Sequence, residues 1–541
     1  MKILGLEINR SKPVAEAISV VPEIKADHGN LTGSYSVSFD GEKNAGEIGP
    51  AIDYTLDYNL LRVRSWQSYL ENEITSTIID RYTIWIIDKG LKLQCEPSKT
   101  VLAAEGVNFN AEDFNTITEA RFNLFAKSKK SSYSEMQNLN EISKEVFKGS
   151  KIGGDELVIL RYIDNKVKVE HIDGGLIGGN LLPFHAVTGN KIVNGVEIDS
   201  KGKHIAYHIR GELGQPSQRV KAWSEVTGLR MAFLVYGSKY RKGAERGLPV
   251  VTTSLETLSK IDRYKEAAVG GAEERQKIAY FIEHGQFSDG SSPLEGSMAA
   301  AFGNDTDQTV ESIDAQGKIL ANTVATTTGK QAFNMPVGSK ISSVSSDQEI
   351  TFKEFYETNA NIVCANLGIP PNIAWSLYTD SFSSSRTATK DWEHTMEVER
   401  NQFQIQFYEP IFALWLHTEI LKEKINAPGY LEAYKKGNTD ITESYLNNRF
   451  TGAMFPHIDP LKEAKAERVK LGTAFDLTPL TTLERATEVL NGGDSASNVD
   501  QASKELENSK EKGFEVVEVV PERESQEEWF IKVWLIFNKI I

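Results

Sequence analysis

The chain is short of cysteine, of positive charge and of long apolar runs. Cys95 and Cys364 are its only 2 cysteines in 541 residues, too few for a disulfide framework. Each lies in an apolar stretch, strand-like around Cys95 and helical around Cys364, so both are expected as buried thiols in a reducing compartment. Lys and Arg number 60 against 75 Asp and Glu, a formal charge of -15. Tight non-specific binding to nucleic acid rests on cations neutralising phosphates, so this balance argues against it. It leaves room for a protein that touches DNA without sticking. The first ten residues carry no apolar core of a signal peptide, and secretion is not expected. Trp529 to Ile541 is strongly apolar but too short to span a bilayer and is interrupted by Lys532 and Lys539. Docking on a neighbouring subunit is expected of it, and membrane contact is not.

Motifs of catalysis are also missing. No Gly-x-x-x-x-Gly-Lys-Ser/Thr occurs: Gly329-Lys330 is followed by Gln331 and has no glycine five residues before it. That argues against an ATP-hydrolysing phosphate loop. His-Glu-x-x-His, Cys-x-x-Cys and Gly-x-Ser-x-Gly are absent too, so neither a zinc site nor a nucleophile elbow is readable. His204 and His208 fall four apart on a predicted strand and are expected as a solvated pair on one face. No enzyme activity, catalytic residue, metal or cofactor is expected.

What is present is an ordinary globular composition, 40% hydrophobic and 25% charged, long enough for several domains. Residues 1–50 show little periodicity and read as an arm. In 51–87 Leu56, Leu60, Val63, Trp66, Leu70, Ile74 and Ile78 recur every three or four positions. This predicts one helix with Arg62, Arg64 and Glu71 off its apolar stripe. A strand over 91–95 and a helix over 117–146 follow. Glu156 to Ile163 and Lys166 to Ile172 flank Asp164-Asn165 and predict a hairpin. A second hairpin runs from Asn194 to His208 and turns at Ser200-Lys-Gly202. Residues 250–284 carry Leu255, Leu258, Ile261, Tyr264 and Ala268 on one stripe, a rod of about 50 Å if wholly helical. Periodicity then fails over 285–348, with candidate strands at 309–315 and 340–344. Asp459 and Pro460 read as N-cap and first position of a late helix, and 491–528 as flexible.

One stretch organises the rest. Phe352 to Leu367 has helical spacing with Asn359 as the polar member of its stripe, and Gly368 with Pro370-Pro371 stops it. Next come Tyr378-Thr-Asp-Ser-Phe-Ser-Ser-Ser-Arg-Thr387, expected as an exposed loop, and a helix from Ala388 to Leu421 kinked at Pro410. The alternative for Ser383 to Arg386 is a lead-in whose hydroxyl caps the following helix.

These words carry a resemblance. Gly368-Ile-Pro-Pro371, Ser381-Phe-Ser-Ser-Ser-Arg-Thr-Ala388 and Phe407-Tyr-Glu-Pro-Ile-Phe-Ala-Leu-Trp-Leu416 resemble the portal proteins of tailed bacteriophages, the lambda-like branch in particular. Gly90-Leu-Lys-Leu-Gln94, the hairpin ending Ala206-Tyr-His208, Arg246-Gly-Leu-Pro249, Asp262-Arg-Tyr264 and Ile458-Asp-Pro-Leu-Lys-Glu-Ala464 match further words of that family in order.

The resemblance implies an α+β fold, mainly helical, with a β-containing wing, long stem helices, an irregular clip and a helical crown. By position the arm is 1–50, the wing 51–250 and 421–475, the first stem helix 251–284 and the clip 285–350. The second stem helix is 351–377, the channel loop and helix 378–420, and the crown and tail 476–541. It implies a ring of about twelve copies at a capsid vertex, assembled in the host cytoplasm, through which double-stranded DNA passes. Terminase large subunit, major capsid and scaffold proteins and a head-tail adaptor are the implied partners. Ser383, Ser384, Ser385, Arg386 and Lys390 are the implied channel-facing residues. Another virion structural protein, such as a head-tail adaptor, and an enzyme with an unfamiliar site are the rival readings.

Overall fold

The computed structural model describes residues 58–271, 352–377, 382–453, 460–471, 480–491 and 495–511. Short gaps fall at 179–182, 212–216 and 241–243, and the backbone of several further strands is described. The chain forms two compact units, Met1–Phe450 and Thr451–Ile541.

The first unit opens on two helices where one was expected, Tyr58–Glu71 and Glu73–Ile87. Asn72 breaks them with extended backbone and caps the second, its Oδ1 accepting from the Ile74 and Thr75 amides. The expected apolar stripe is also displaced on the first helix. Val63 and Leu70 are exposed, whereas Arg62 is buried. Periodicity reads a charged side chain as solvated, and here a buried carboxylate far along the chain overrides it. Residues 117–146 likewise divide, into Ala111–Lys127 and Leu139–Gly153. The second begins with Asn138 and Glu141 bonding each other's backbone amides, a capping box that starts a new helix there.

Both predicted hairpins form. Asp155–Ile163 lies between Lys166–Asp173 and Ala232–Tyr236, all antiparallel. Asp164 and Asn165 both have positive φ at its turn, the mirror-type turn that matches strand twist. Val196–Ile198 pairs with His204–Ile209, inside a four-stranded sheet that also holds Lys191–Val193 and Gln218–Lys221. The two sheets share one apolar core around Leu157, Val196, Tyr207 and Leu234. His204 and His208 are not a solvated pair. His204 bonds Glu245 and Tyr207, while His208 is buried with Nε2 3.4 Å from Glu197. A register shift between His204 and Ala206 separates their surroundings.

The predicted rod is shorter than expected. Its helix, Leu255–Lys277, has 23 residues, about 35 Å. Ile278–Ile282, an Ile-Ala-Tyr-Phe-Ile run of strand-favouring residues, leaves it to pair in parallel with Lys330–Asn334. Ser312–Ile313 is a strand within the expected 309–315, while 340–344 lies outside the described residues.

Strand Lys92–Cys95 pairs with Asn448–Thr451. Cys95 and Cys364 are buried free thiols, and burial pushes Cys364 up to about 12. The helix Glu409–Leu421 is buried on nearly every side. Phe122 meets Phe412, Trp415 and Phe450 at ring distances of 5.1–5.8 Å, and each such buried ring contributes about 2–3 kcal/mol.

In the second unit Pro460–Lys470, Leu483–Asn491 and Ser495–Glu511 are helices. Pro460 opens the first as expected; Asp459, the expected cap, lies outside the described residues. The third corrects the reading of 491–528 as flexible throughout. Its Ser-Ala-Ser-Asn start and Lys-Glu-Leu-Glu continuation hold no proline or glycine, so a helix is not interrupted. Trp529 to Ile541 and the 1–50 side chains lie outside the described residues.

Candidate functional segment around Arg386

The segment is carried by a helical hairpin. Phe352–Asn366 runs beside Leu255–Lys277, with Tyr264 4.4 Å from Phe355 and 5.9 Å from Phe352, centroid to centroid. Asn366 Nδ2 donates to Thr253 Oγ1 and Ser254 Oγ at 2.6 and 2.9 Å, joining the end of one helix to the start of the other. Asp262, in the Asp-Arg-Tyr word, accepts both 2.9 Å bonds from Asn72 Nδ2. The cap between the first two helices thereby also fastens the rod.

Gly368 ends the second helix at φ +71°, a conformation that favours glycine. Pro371 then starts the short helix Pro371–Trp375, where its missing amide is no loss. The expected serine loop is in fact the beginning of a helix, Phe382–Phe403. Three serines and an arginine contain no helix breaker, and hydroxyl residues are well tolerated in a first turn. The side chains of Ser383 and Ser384 lie outside the described residues. Ser385 is half-buried and its carbonyl accepts from Thr389 Oγ1. Arg386 is exposed and has no ion pair among the described residues. Lys390 is exposed but paired with Glu393 one turn on. Arg386 and Lys390, four apart, therefore share a face, with Arg386 the freer charge.

The other end of this helix is clamped. Trp392 and Met396 are fully buried, and Glu399 takes a 2.7 Å ion pair from Lys151. Tyr82, half-buried beside Glu399, has its hydroxyl pushed up, first by desolvation and then by that carboxylate. Arg400 donates to the Trp85 and Ile86 carbonyls at 2.8 and 2.9 Å, closing the end of Glu73–Ile87. Pro410 was expected to kink one long helix. What precedes it is a π turn, Gln404–Tyr408, with the Glu409 amide bonded to the Gln404 carbonyl. The wider turn accommodates a proline that cannot donate. Its glutamines serve as ties. Gln404 accepts from the Phe450 amide and donates to the Asn448 carbonyl, and Gln406 accepts from the Tyr236 amide.

Nothing in the periodicity signalled a further centre at the foot of the rod. Asp155 is fully buried and accepts from Arg246 Nε and Nη2 at 2.7 Å each, from Arg62, and from the Gly247 amide at 2.8 Å. Arg246 also donates to the carbonyls of Gly174, Ile177 and Asn194. Burial opposes ionisation of Asp155, but Arg246 and Arg62 outweigh it and hold the carboxyl below its usual range. Beside it Glu156 is raised from 4.5 to about 9 by burial and by Asp173 and Asp155. Gly247 lies so near the Gly154 carbonyl that an added Cβ would come within 2.0 Å of that oxygen. The Arg246-Gly-Leu-Pro249 word is thus a ligand for Asp155, a contact only glycine allows, and a proline before the rod.

The lambda family of phage portal proteins matches residues 43–400. The chain belongs to that family. As a portal protein it acts at the capsid vertex. Among curated proteins nothing matches it. Among solved structures the portal protein is similar, at 11% identity, to a chain of the "Virion of native gene transfer agent (GTA) particle". That alignment covers 80% of this chain and 92% of the other, with TM-score 0.38. A second, from the "Neck of empty GTA particle computed with C6 symmetry", has 11% identity, coverage of 79% and 93%, and TM-score 0.40. A third, from the "Neck of native GTA particle computed with C12 symmetry", has 11% identity, coverage of 70% and 91%, and TM-score 0.33.

Proposed function

We propose that this portal protein closes into a ring of about twelve copies, through which double-stranded DNA is packaged and later ejected. In this reading the Phe382–Phe403 helix turns its Arg386 end towards the bore. One observation carries it: the helix is clamped at Glu399, Arg400 and the π turn, while Arg386 and Lys390 at its opposite end are exposed. A tip held from its base can touch phosphates lightly without being pulled out of position.

The charge balance supports the same reading. A net -15 per chain, repeated around a ring, repels a duplex broadly and leaves few sites at which it would stick. Ser383, Ser384 and Ser385 on the first turn would add weak hydroxyl contacts. The wing is 51–250 with 421–475, the stem the hairpin of Leu255–Lys277 and Phe352–Asn366, and the clip the segment between them. The arm is 1–50 and the crown begins near 476. The terminase large subunit supplies the motor and docks on the clip, as does the head-tail adaptor after packaging, and major capsid and scaffold proteins surround the wing. Assembly takes place in the host cytoplasm.

The test is the double substitution Arg386→Ala with Lys390→Ala, followed by electron microscopy of the rings and measurement of packaged and retained DNA. Rings of wild-type size with reduced DNA retention are expected. Unchanged packaging and retention would remove both residues from the channel.

A further inference from the structure

Two clefts of opposite charge flank the buried helix Glu409–Leu421. One, of about 600 Å³, lies at its N-terminal end and is lined by Glu409, Asp440 and Glu443 with Ser98 and Val101. The other, of about 550 Å³, lies at its C-terminal end and is lined by Lys130, Lys166 and Lys424 with Phe125 and Trp415. The helix has 13 residues, so about 20 Å separates its ends.

The charges on the two sides differ in more than sign. Arg121 and Lys422 in the second cleft are already satisfied by Glu419. Among the described residues Lys130, Lys166 and Lys424 have no ion pair, and neither do Glu409, Asp440 and Glu443. Asp164 is the other carboxylate in the basic cleft, and it too is exposed. Each cleft also offers apolar surface, Val101 in the acidic one and Leu124, 72% exposed, in the basic one. Among the described residues, three charges of one sign without an ion pair thus line one cleft and three of the other sign line the cleft at the far end of the same helix.

We infer that these clefts are the two halves of one contact between neighbouring copies of this chain, the acidic cleft of each subunit meeting the basic cleft of the next. The inference rests on the ring reading above and names the surfaces that close it. A cyclic ring needs a head-to-tail contact made by two different, mutually complementary surfaces of one chain. Opposed charge fixes which face meets which and penalises face-to-face pairing of like ends. Leu124 supplies the apolar knob that a rim of charges would shield.

The test uses the full chain in two variants. One reverses the basic cleft (Lys130→Glu, Lys166→Glu and Lys424→Glu), and the other reverses the acidic cleft (Asp440→Lys and Glu443→Lys). All five positions are exposed, and circular dichroism checks that both variants fold. Native mass spectrometry and electron microscopy then read assembly. Each variant alone is expected to yield at least about tenfold less ring than wild type, because every junction now opposes like charges. Mixed in equal amounts they should recover rings of alternating subunits, since the acidic face of one now meets the basic face of the other. Rings from either variant alone at wild-type yield, or no recovery on mixing, would overturn the pairing. Intact rings with lost DNA retention in the first variant would overturn it in favour of a phosphate-binding cleft. A wild-type chain that forms no ring would bring down the ring reading itself.

Discussion

Replacing Asp155 by Asn removes one negative charge from a site that water does not reach. Arg246 is 2% exposed and Arg62 6%, and both guanidinium groups would remain charged with no ionised carboxylate in contact. Glu156, the neighbouring acid, is held protonated up to about 9 and offers no substitute. Breaking a buried pair from one side costs about 3–5 kcal/mol, a large share of the roughly 5–15 kcal/mol that holds a domain together. The two arginines should not be equal. Arg246 donates to Asp155 and to three carbonyls. Among the described residues Arg62 Nε and Nη1 have no hydrogen-bond partner, so Arg62→Met also removes two buried unsatisfied donors. Urea unfolding followed by tryptophan fluorescence at pH 7 should rank the losses Asp155→Asn, then Arg246→Met, then Arg62→Met. Because the folded pKa of Asp155 is depressed, its contribution is present above the unfolded value near about 3.9 and is lost as pH falls through the folded one. The gap between wild type and Asp155→Asn should therefore narrow in acid. A loss below about 1 kcal/mol at pH 7, or an Arg62→Met as damaging as Asp155→Asn, would refute this account of the node.

Glu156 predicts the opposite pH behaviour. Its folded pKa is raised from 4.5 to about 9, so the stability of its protonated form is complete below the lower value and declines as pH rises through the window, by about 1.4 kcal/mol per unit. Glu156→Gln keeps a neutral side chain, and its advantage over wild type should grow between pH 5 and 8, at most by about 4 kcal/mol. Parallel stability–pH curves for the two would contradict it. Gly247→Ala drives a Cβ against the Gly154 carbonyl at 2.0 Å, backbone against backbone with no flexible side chain to yield. A loss of about 1–3 kcal/mol in thermal unfolding is expected, and an unchanged melting temperature would show that the chain relaxes there freely.

Much of the fold was legible because it is local. The hairpin at Asp164-Asn165 could be read from alternation and turn residues, since both determine backbone conformation within a few positions. The stop at Gly368 with Pro370 was equally plain. So was the stripe Leu255, Leu258 and Ile261, whose members are all buried. The misreadings share a cause as well. A charge off an apolar stripe normally faces solvent, yet Arg62 is buried on a carboxylate 93 positions away. Serines favour turns, so Ser383 to Arg386 reads locally as a loop, whereas the helix beyond them is fixed by Trp392, Met396 and Arg400 and extends back through them. At Pro410 the disruption was foreseen but not its form. The π turn depends on Asn448, Phe450 and Tyr236, whose positions no local pattern reports.

By itself, then, the sequence determined the family, the order of helices and hairpins, and the acidic charge balance. Those properties are written in short words and in composition, and need no contact between distant residues. The tertiary structure alone decided which charges are buried, where the Arg386 helix begins, and which lysines and carboxylates at the two ends of Glu409–Leu421 have no ion pair among the described residues. Each of these follows from partners that meet only after the chain has folded, when burial strengthens a charge interaction that water would otherwise have screened.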